Sequence, residues 1–148
     1  MEILSISPDQ TKELAGRIAK DIKPGSTILL FGDLGAGKTT FVRGFVEGLG
    51  FEARVQSPTF VLIRSYVPKN EYFKNGQGVT KVNHLDLYRL ADPAEFESLD
   101  IKGALEEAGT VNIIEWPKII EEKIKDPIKV YIETVGTFER KINVQGLY

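Results

Sequence analysis

The chain has 148 residues, 42% of them apolar and 27% charged, the balance of about one folded domain rather than a disordered tail or a membrane protein. Lys and Arg number 19 against 21 Asp and Glu, a net charge of −2, which excludes a global basic field for nucleic acid but not a local patch. With no cysteine and one histidine, disulfides, thiolate zinc sites, cysteine catalysis and a multi-histidine metal cluster are excluded too.

The start, Met1-Glu2-Ile3-Leu4, has neither the cationic nor the apolar region of a signal peptide. The apolar runs fall far short of the ~18 residues of a membrane span, so the sequence predicts a cytoplasmic protein with no membrane association. A short strand, Glu2–Ser5, leads to Ser7-Pro8-Asp9-Gln10, a capping-box pattern for a helix with Leu14, Ala15, Ile18, Ala19 and Ile22 on one face. Lys23-Pro24-Gly25 ends that helix. Thr27–Phe31 is a continuous apolar run, as expected of a strand buried on both faces. A second helix follows residues 32–39, with Phe41, Val42, Phe45, Val46 and Leu49 inward and Gly50 at its C-terminal cap.

Two strands come next, Thr59–Val67 and Val79–Tyr88, around a polar, turn-rich stretch, Pro68–Gly78, that reads as a long hairpin tip. Asp92-Pro93-Ala94-Glu95 opens a short helix holding Phe96 and Leu99, and a further helical turn spans Ile101–Ala108 up to Gly109. Val111–Glu115 has the character of a buried strand ending on a carboxylate. Trp116-Pro117 breaks it, Lys118–Ile124 is a modest helix, and Ile128–Thr134 with Phe138–Val144 forms a closing hairpin around Gly136. There are no repeats and no internal boundary, which predicts one domain over residues 1–148.

Gly32-x-x-x-x-Gly37-Lys38-Thr39 satisfies the Walker A pattern between an apolar strand and an amphipathic helix. The glycines allow the backbone to wind around a phosphate with N–H groups inward, and the helix N-terminus adds a favourable dipole. Lys38 can reach the outer phosphates, and the Thr39 hydroxyl can ligate Mg²⁺.

Such an enzyme also needs carboxylates facing the loop. In His84-Leu85-Asp86-Leu87-Tyr88, alternation puts His84, Asp86 and Tyr88 on one strand face. Glu115 ends a strand where the C-terminal edge of a parallel sheet meets a bound nucleotide. From pattern alone Asp86 is equally a solvated strand carboxylate and Glu115 a plain strand exit, while His84 reads as a structural hydrogen-bonding residue before a catalytic one. Ser57-Pro58-Thr59-Phe60 stands where many such proteins carry a γ-phosphate-sensing threonine, though a Ser-Pro-Thr turn is also a common loop former. Trp116 reads by itself as packing.

Together, Gly-Asp-Leu-Gly-Ala-Gly-Lys-Thr-Thr (32–40), Ser-Pro-Thr-Phe (57–60), His-Leu-Asp-Leu-Tyr-Arg (84–89) and Ile-Glu-Trp-Pro (114–117) closely resemble the bacterial TsaE (YjeE) family, the ATPases of tRNA threonylcarbamoyladenosine biosynthesis. The resemblance covers nearly the whole chain. It implies an α/β fold of the P-loop NTPase class, with a mixed, mostly parallel central sheet flanked by helices and carrying β-hairpins. It implies binding of ATP and Mg²⁺, slow hydrolysis alone, and association with the TsaB and TsaD proteins, with tRNA reached only indirectly through that complex. On this likeness Gly35, Ala36, Gly37, Lys38, Thr39 and Thr40 hold the phosphates, and Thr39 with Glu115 holds Mg²⁺. Asp86 orients or deprotonates the attacking water, so that Asp86, Glu115 and Lys38 form the catalytic group. Thr59 is the switch threonine, Thr11 lies near the base, and Arg140 matches a recurrent basic position with no assigned role. The Pro68–Gly78 insert is longer than the family's usual turn and inherits no function.

Three rivals are weaker. A GTPase-like switch requires an Asn-Lys-x-Asp, which the sequence lacks, and no apolar strand precedes its one Asp-x-x-Gly at Asp100. A small-molecule kinase requires clustered lid arginines, and the six here (17, 43, 54, 64, 89, 140) are scattered singly. A non-hydrolysing nucleotide-dependent binding module leaves Asp86 and Glu115 without a purpose.

Overall fold

In the structure, a computed structural model that describes residues 1–70 and 75–147, seven strands form one sheet in the order β1-β7-β6-β2-β5-β4-β3. These are β1 (Glu2–Ser5), β2 (Thr27–Phe31), β3 (Ile63–Tyr66), β4 (Lys81–Asp86), β5 (Thr110–Glu115), β6 (Ile128–Thr134) and β7 (Arg140–Gln145). The four central strands, β6, β2, β5 and β4, run parallel, and β1, β7 and β3 add on antiparallel. This is the expected mixed, mostly parallel α/β arrangement.

Helices α1 (Pro8–Asp21) and α2 (Lys38–Gly48) cover one face. All ten apolar positions that the helical spacing assigns inward, Leu14 to Ile22 and Phe41 to Leu49, are buried against Ile28, Leu30, Val82, Ile113 and Val130 of the sheet. Ser7 Oγ caps α1 by accepting from the Gln10 amide at 3.2 Å, and Gln10 Oε1 accepts from the Ile6 amide at 3.0 Å. The other face buries Leu29, Leu85, Leu87 and Ile114 under α3 (Pro93–Glu97), α4 (Lys102–Glu106) and two 3-10 turns, Pro117–Ile119 and Glu121–Lys123. Asn83 and Asn112, buried side by side, tie α4 down by donating to the Ala104 and Leu105 carbonyls at 3.0 and 2.9 Å.

Four expected boundaries shift. The strand predicted from Thr59 begins only at Ile63, because the Val61 and Leu62 amides both turn back to the Pro58 carbonyl, at 3.0 and 2.8 Å. β4 stops at Asp86, two residues short of the expected end at Tyr88. The modest helix at Lys118–Ile124 is the pair of 3-10 turns. The hairpin's second strand starts at Arg140 rather than Phe138. Residues 71–74 of the Pro68–Gly78 insert lie outside the described residues. No described helix is long and apolar enough to cross a membrane.

The two long helices touch through glycine. A Cβ at Gly44 would stand 2.3 Å from the Lys12 carbonyl oxygen and 2.5 Å from its Cα. Overpacking of this kind costs about 1–3 kcal/mol, against about 1 kcal/mol gained from the better helix propensity of alanine. Gly44→Ala is therefore expected to lose up to about 2 kcal/mol, seen as a lower denaturation midpoint at unchanged slope. A stabilised variant would show that the helices part freely.

Candidate functional site

β2 delivers the chain at Phe31 into the 32–37 loop, and α2 begins at Lys38 with Gly37 as its N-cap. Gly37 sits at φ 102°, a left-handed conformation that a side chain would resist. Lys38 is only 6% exposed. Its Nζ donates to the Gly32 carbonyl at 2.7 Å, lies 3.8 Å from Glu115 Oε1 and stands 3.8 Å above the centre of the Trp116 ring. Burial holds the Lys38 pKa below the ordinary 10.5, and the negative charges of Glu115, Asp86 and Asp33 only partly offset it.

The strand period does the rest. Val82, His84 and Asp86 alternate onto the α1–α2 face of β4, and Val111, Ile113 and Glu115 onto the same face of β5. The parallel register sets Asp86 opposite Glu115, so two carboxylates end adjacent strands beside the N-terminus of α2. Both are buried. Asp86 Oδ2 accepts from the Thr59 hydroxyl at 2.8 Å, and Oδ1 from the Tyr88 amide at 2.8 Å. Ser57 Oγ lies 2.7 Å from Thr59 Oγ1, and Tyr66 steadies the segment before it by bonding both the amide and the carbonyl of Gln56. Glu115 Oε2 is hydrogen bonded to His84 Nε2.

Lys38, Thr59, Asp86 and Glu115 are thus brought into one cluster. Thr39 lies alongside, lining a cavity with Arg43 and Ser57. Thr11 and Thr40 are on the other side of the loop, in a small cavity shared with Gly35, Gly37, Thr137 and Phe138. Thr11 is buried there, 2.8 Å from Ser5 Oγ. Ala36 is buried within the loop. Three further residues that the sequence reading named without a catalytic or binding role join the site. His84 makes a hydrogen bond, as a structural histidine is expected to, and its partner is the Glu115 carboxylate. Trp116 adopts a left-handed backbone, φ 52°, rare for a bulky residue, and packs 4.8 Å from Tyr88. Arg140 reaches the loop from the closing hairpin, with Nε 2.9 Å from the Ala36 carbonyl and Nη2 3.3 Å from that of Gly35. The family resemblance includes Trp116 in its Ile-Glu-Trp-Pro motif and Arg140 at a recurrent basic position, but nothing local marks the contacts that they make.

The family model for "Threonylcarbamoyl adenosine biosynthesis protein TsaE" matches residues 5–142. The chain belongs to the TsaE family. It is similar to the TsaE protein of Bacillus subtilis, 39% identical over 93% of this chain and 80% of the relative. It is also similar to that of Streptomyces coelicolor, 39% identical over 92% and 90%. The crystal structure of Bacillus subtilis YdiB superposes with a TM-score of 0.74 at 32% identity, covering 97% of this chain and 83% of that one. A TsaE fold with this loop is consistent with nucleotide binding, which accounts for the shape of residues 32–39.

Because burial disfavours its charge, Lys38 is expected to weigh against the stability of the nucleotide-free protein. The folded pKa is lowered, so between it and 10.5 the unfolded chain holds more protons. Stability from this group therefore rises with pH across that window. Lys38→Met is expected to melt higher than the parent near neutral pH, with the gap closing as pH climbs towards 10.5. Thermal melts over that range check this. A lower melting temperature would mean that the Gly32 and Trp116 contacts outweigh desolvation.

Proposed function

We propose that this TsaE-family chain is a cytoplasmic, Mg²⁺-dependent ATPase that supports the TsaB–TsaD pair in threonylcarbamoyl modification of adenosine next to the tRNA anticodon. The observation that carries the reading is the meeting of Thr59, Asp86, Glu115 and Lys38 at the mouth of the phosphate loop. A passive binding module has no need to bury two carboxylates beside a lysine.

The donor set fits magnesium. Among the described residues no three His, Cys, Asp or Glu side chains gather into a self-sufficient metal cage. The Thr39 hydroxyl and Glu115 carboxylate would hold the ion, as suits a cation that keeps several waters and phosphate oxygens in its shell. Bound there, Mg²⁺ would supply positive charge to the outer phosphates. Lys38 supplies a second positive charge, leaving its Gly32 and Trp116 contacts to meet the phosphates. The Asp86 carboxylate, with both oxygens oriented by hydrogen bonds, aligns the attacking water and takes its proton. Thr59, released from Asp86, is the group that senses the terminal phosphate. Thr11 and Thr40 flank the loop on the side assigned to the base. Leu34, Phe60 and Tyr88, exposed by 72%, 85% and 53%, adjoin site residues and supply an apolar rim for the TsaB–TsaD pair to cover.

Phosphate release from ATP, with Mg²⁺ and with or without TsaB and TsaD, tests this directly. Activity is expected with ATP, stronger in the full mixture, and lost in Lys38→Ala with its fold intact. Asp86→Asn is expected to lower turnover about 10²-fold or more while ADP affinity stays near that of the parent. Unchanged phosphate release in folded Lys38→Ala would remove the loop from the chemistry, and preference for GTP would favour the switch alternative.

A further inference from the structure

Arg140 lies at the start of β7, 104 residues beyond the loop carbonyl it bonds. Among the described residues its hydrogen-bond partners are main-chain carbonyls. Nε and Nη2 donate to Ala36 and Gly35 at 2.9 and 3.3 Å, and Nη1 faces Gly136, Thr137 and Glu139 at 3.1, 3.3 and 3.0 Å. One guanidinium therefore joins the phosphate loop to the tip of the closing hairpin, using the planar fork that a lysine lacks.

We propose that Arg140 is a positioning residue for the phosphate loop, holding its outward carbonyls so that the Gly37 amide stays aimed at the phosphate. The proposal rests on the nucleotide reading above. A trans peptide points its C=O and the following N–H in opposite directions. Fixing the Ala36 carbonyl towards the hairpin therefore turns the Gly37 N–H the other way, away from Arg140. The Gly35 carbonyl is held likewise, while the Ala36 amide closes an internal turn on Asp33 at 3.1 Å. Both residues flanking Ala36 are glycines, so the chain itself supplies little stiffness there. The clamp from outside supplies it. The carbonyls would otherwise be free to swing inwards, where their negative ends oppose an anion. Because Nη1 is anchored on residues 136–139, the loop geometry is tied to the hairpin tip, whose Thr137 and Phe138 share a cavity with Gly35, Gly37 and Thr40.

Two readouts separate positioning from a general structural role. In the nucleotide-free protein, Arg140→Lys is expected to speed hydrogen exchange at residues 35–38 while β2 and β5 keep their protection. Its ADP affinity is expected to fall about tenfold or more, since a point charge cannot span both carbonyls. Arg140→Ala is expected to lose more, and millimolar methylguanidinium is expected to restore part of the loop protection and of the ADP affinity. Unchanged loop exchange in folded Arg140→Lys would overturn the clamp. Exchange accelerated across the whole sheet, or failure of both variants to fold, would also overturn it in favour of simple hairpin support. If the parent protein bound no ADP, the nucleotide reading would fall, and the exchange measurement would still decide the clamp.

Discussion

Parallel pairing of β4 with β5, in the register that sets Asp86 against Glu115, is the constraint on which the rest of the site depends. A slip of one residue would turn every side chain of β4 to the opposite face, moving Asp86 and His84 away from α2 and Leu85 into their place. The register is held from both faces. Val82, Val111 and Ile113 pack under α1 and α2, while Leu85 and Ile114 pack under the small helices, and the Asn83–Asn112 pair locks α4 to the same two strands. The polar end of the pairing is thus specified by its apolar length.

Several locally unfavourable features collect at that end. Lys38 is buried with its pKa pushed down, Trp116 holds a left-handed backbone before a proline, and His84 Nδ1 is buried with no hydrogen-bond partner among the described residues. A strained backbone or an unpaired buried polar atom each costs about 1–3 kcal/mol. Such costs persist where surrounding packing enforces them, and they concentrate where a ligand later relieves them. Here they all touch Glu115 or Lys38. Thr110 Oγ1 and Asn143 Oδ1 are likewise buried without a hydrogen-bond partner among the described residues, but at other positions of the sheet.

Much of this was legible in the sequence because its physics is local or periodic. The Walker A spacing needs only a strand, a turn and a helix, and the inward faces of α1 and α2 follow from helical spacing alone. The resemblance of four motifs in order then linked Asp86 and Glu115, which neither residue's surroundings could do. What escaped was non-local or conformational. Phe60-Val61-Leu62-Ile63 has strand propensity throughout, yet the turn on the Pro58 carbonyl puts Leu62 at φ 72° and frees Thr59 to reach Asp86. Tyr88 continues an alternating pattern beyond the last paired residue. Arg140 bonds carbonyls, and carbonyls are the same in every residue, so no sequence pattern could announce its partners.

On the function proposed above, the two paired carboxylates divide the work, Glu115 towards the metal and Asp86 towards water. Electron paramagnetic resonance of Mn²⁺, standing in for Mg²⁺, tests that division on the protein with ADP. Tight Mn²⁺ binding is expected only when ADP is present, strongly weakened by Glu115→Gln and nearly unchanged by Asp86→Asn. Equal weakening by both variants, or tight binding of Mn²⁺ without nucleotide, would contradict it.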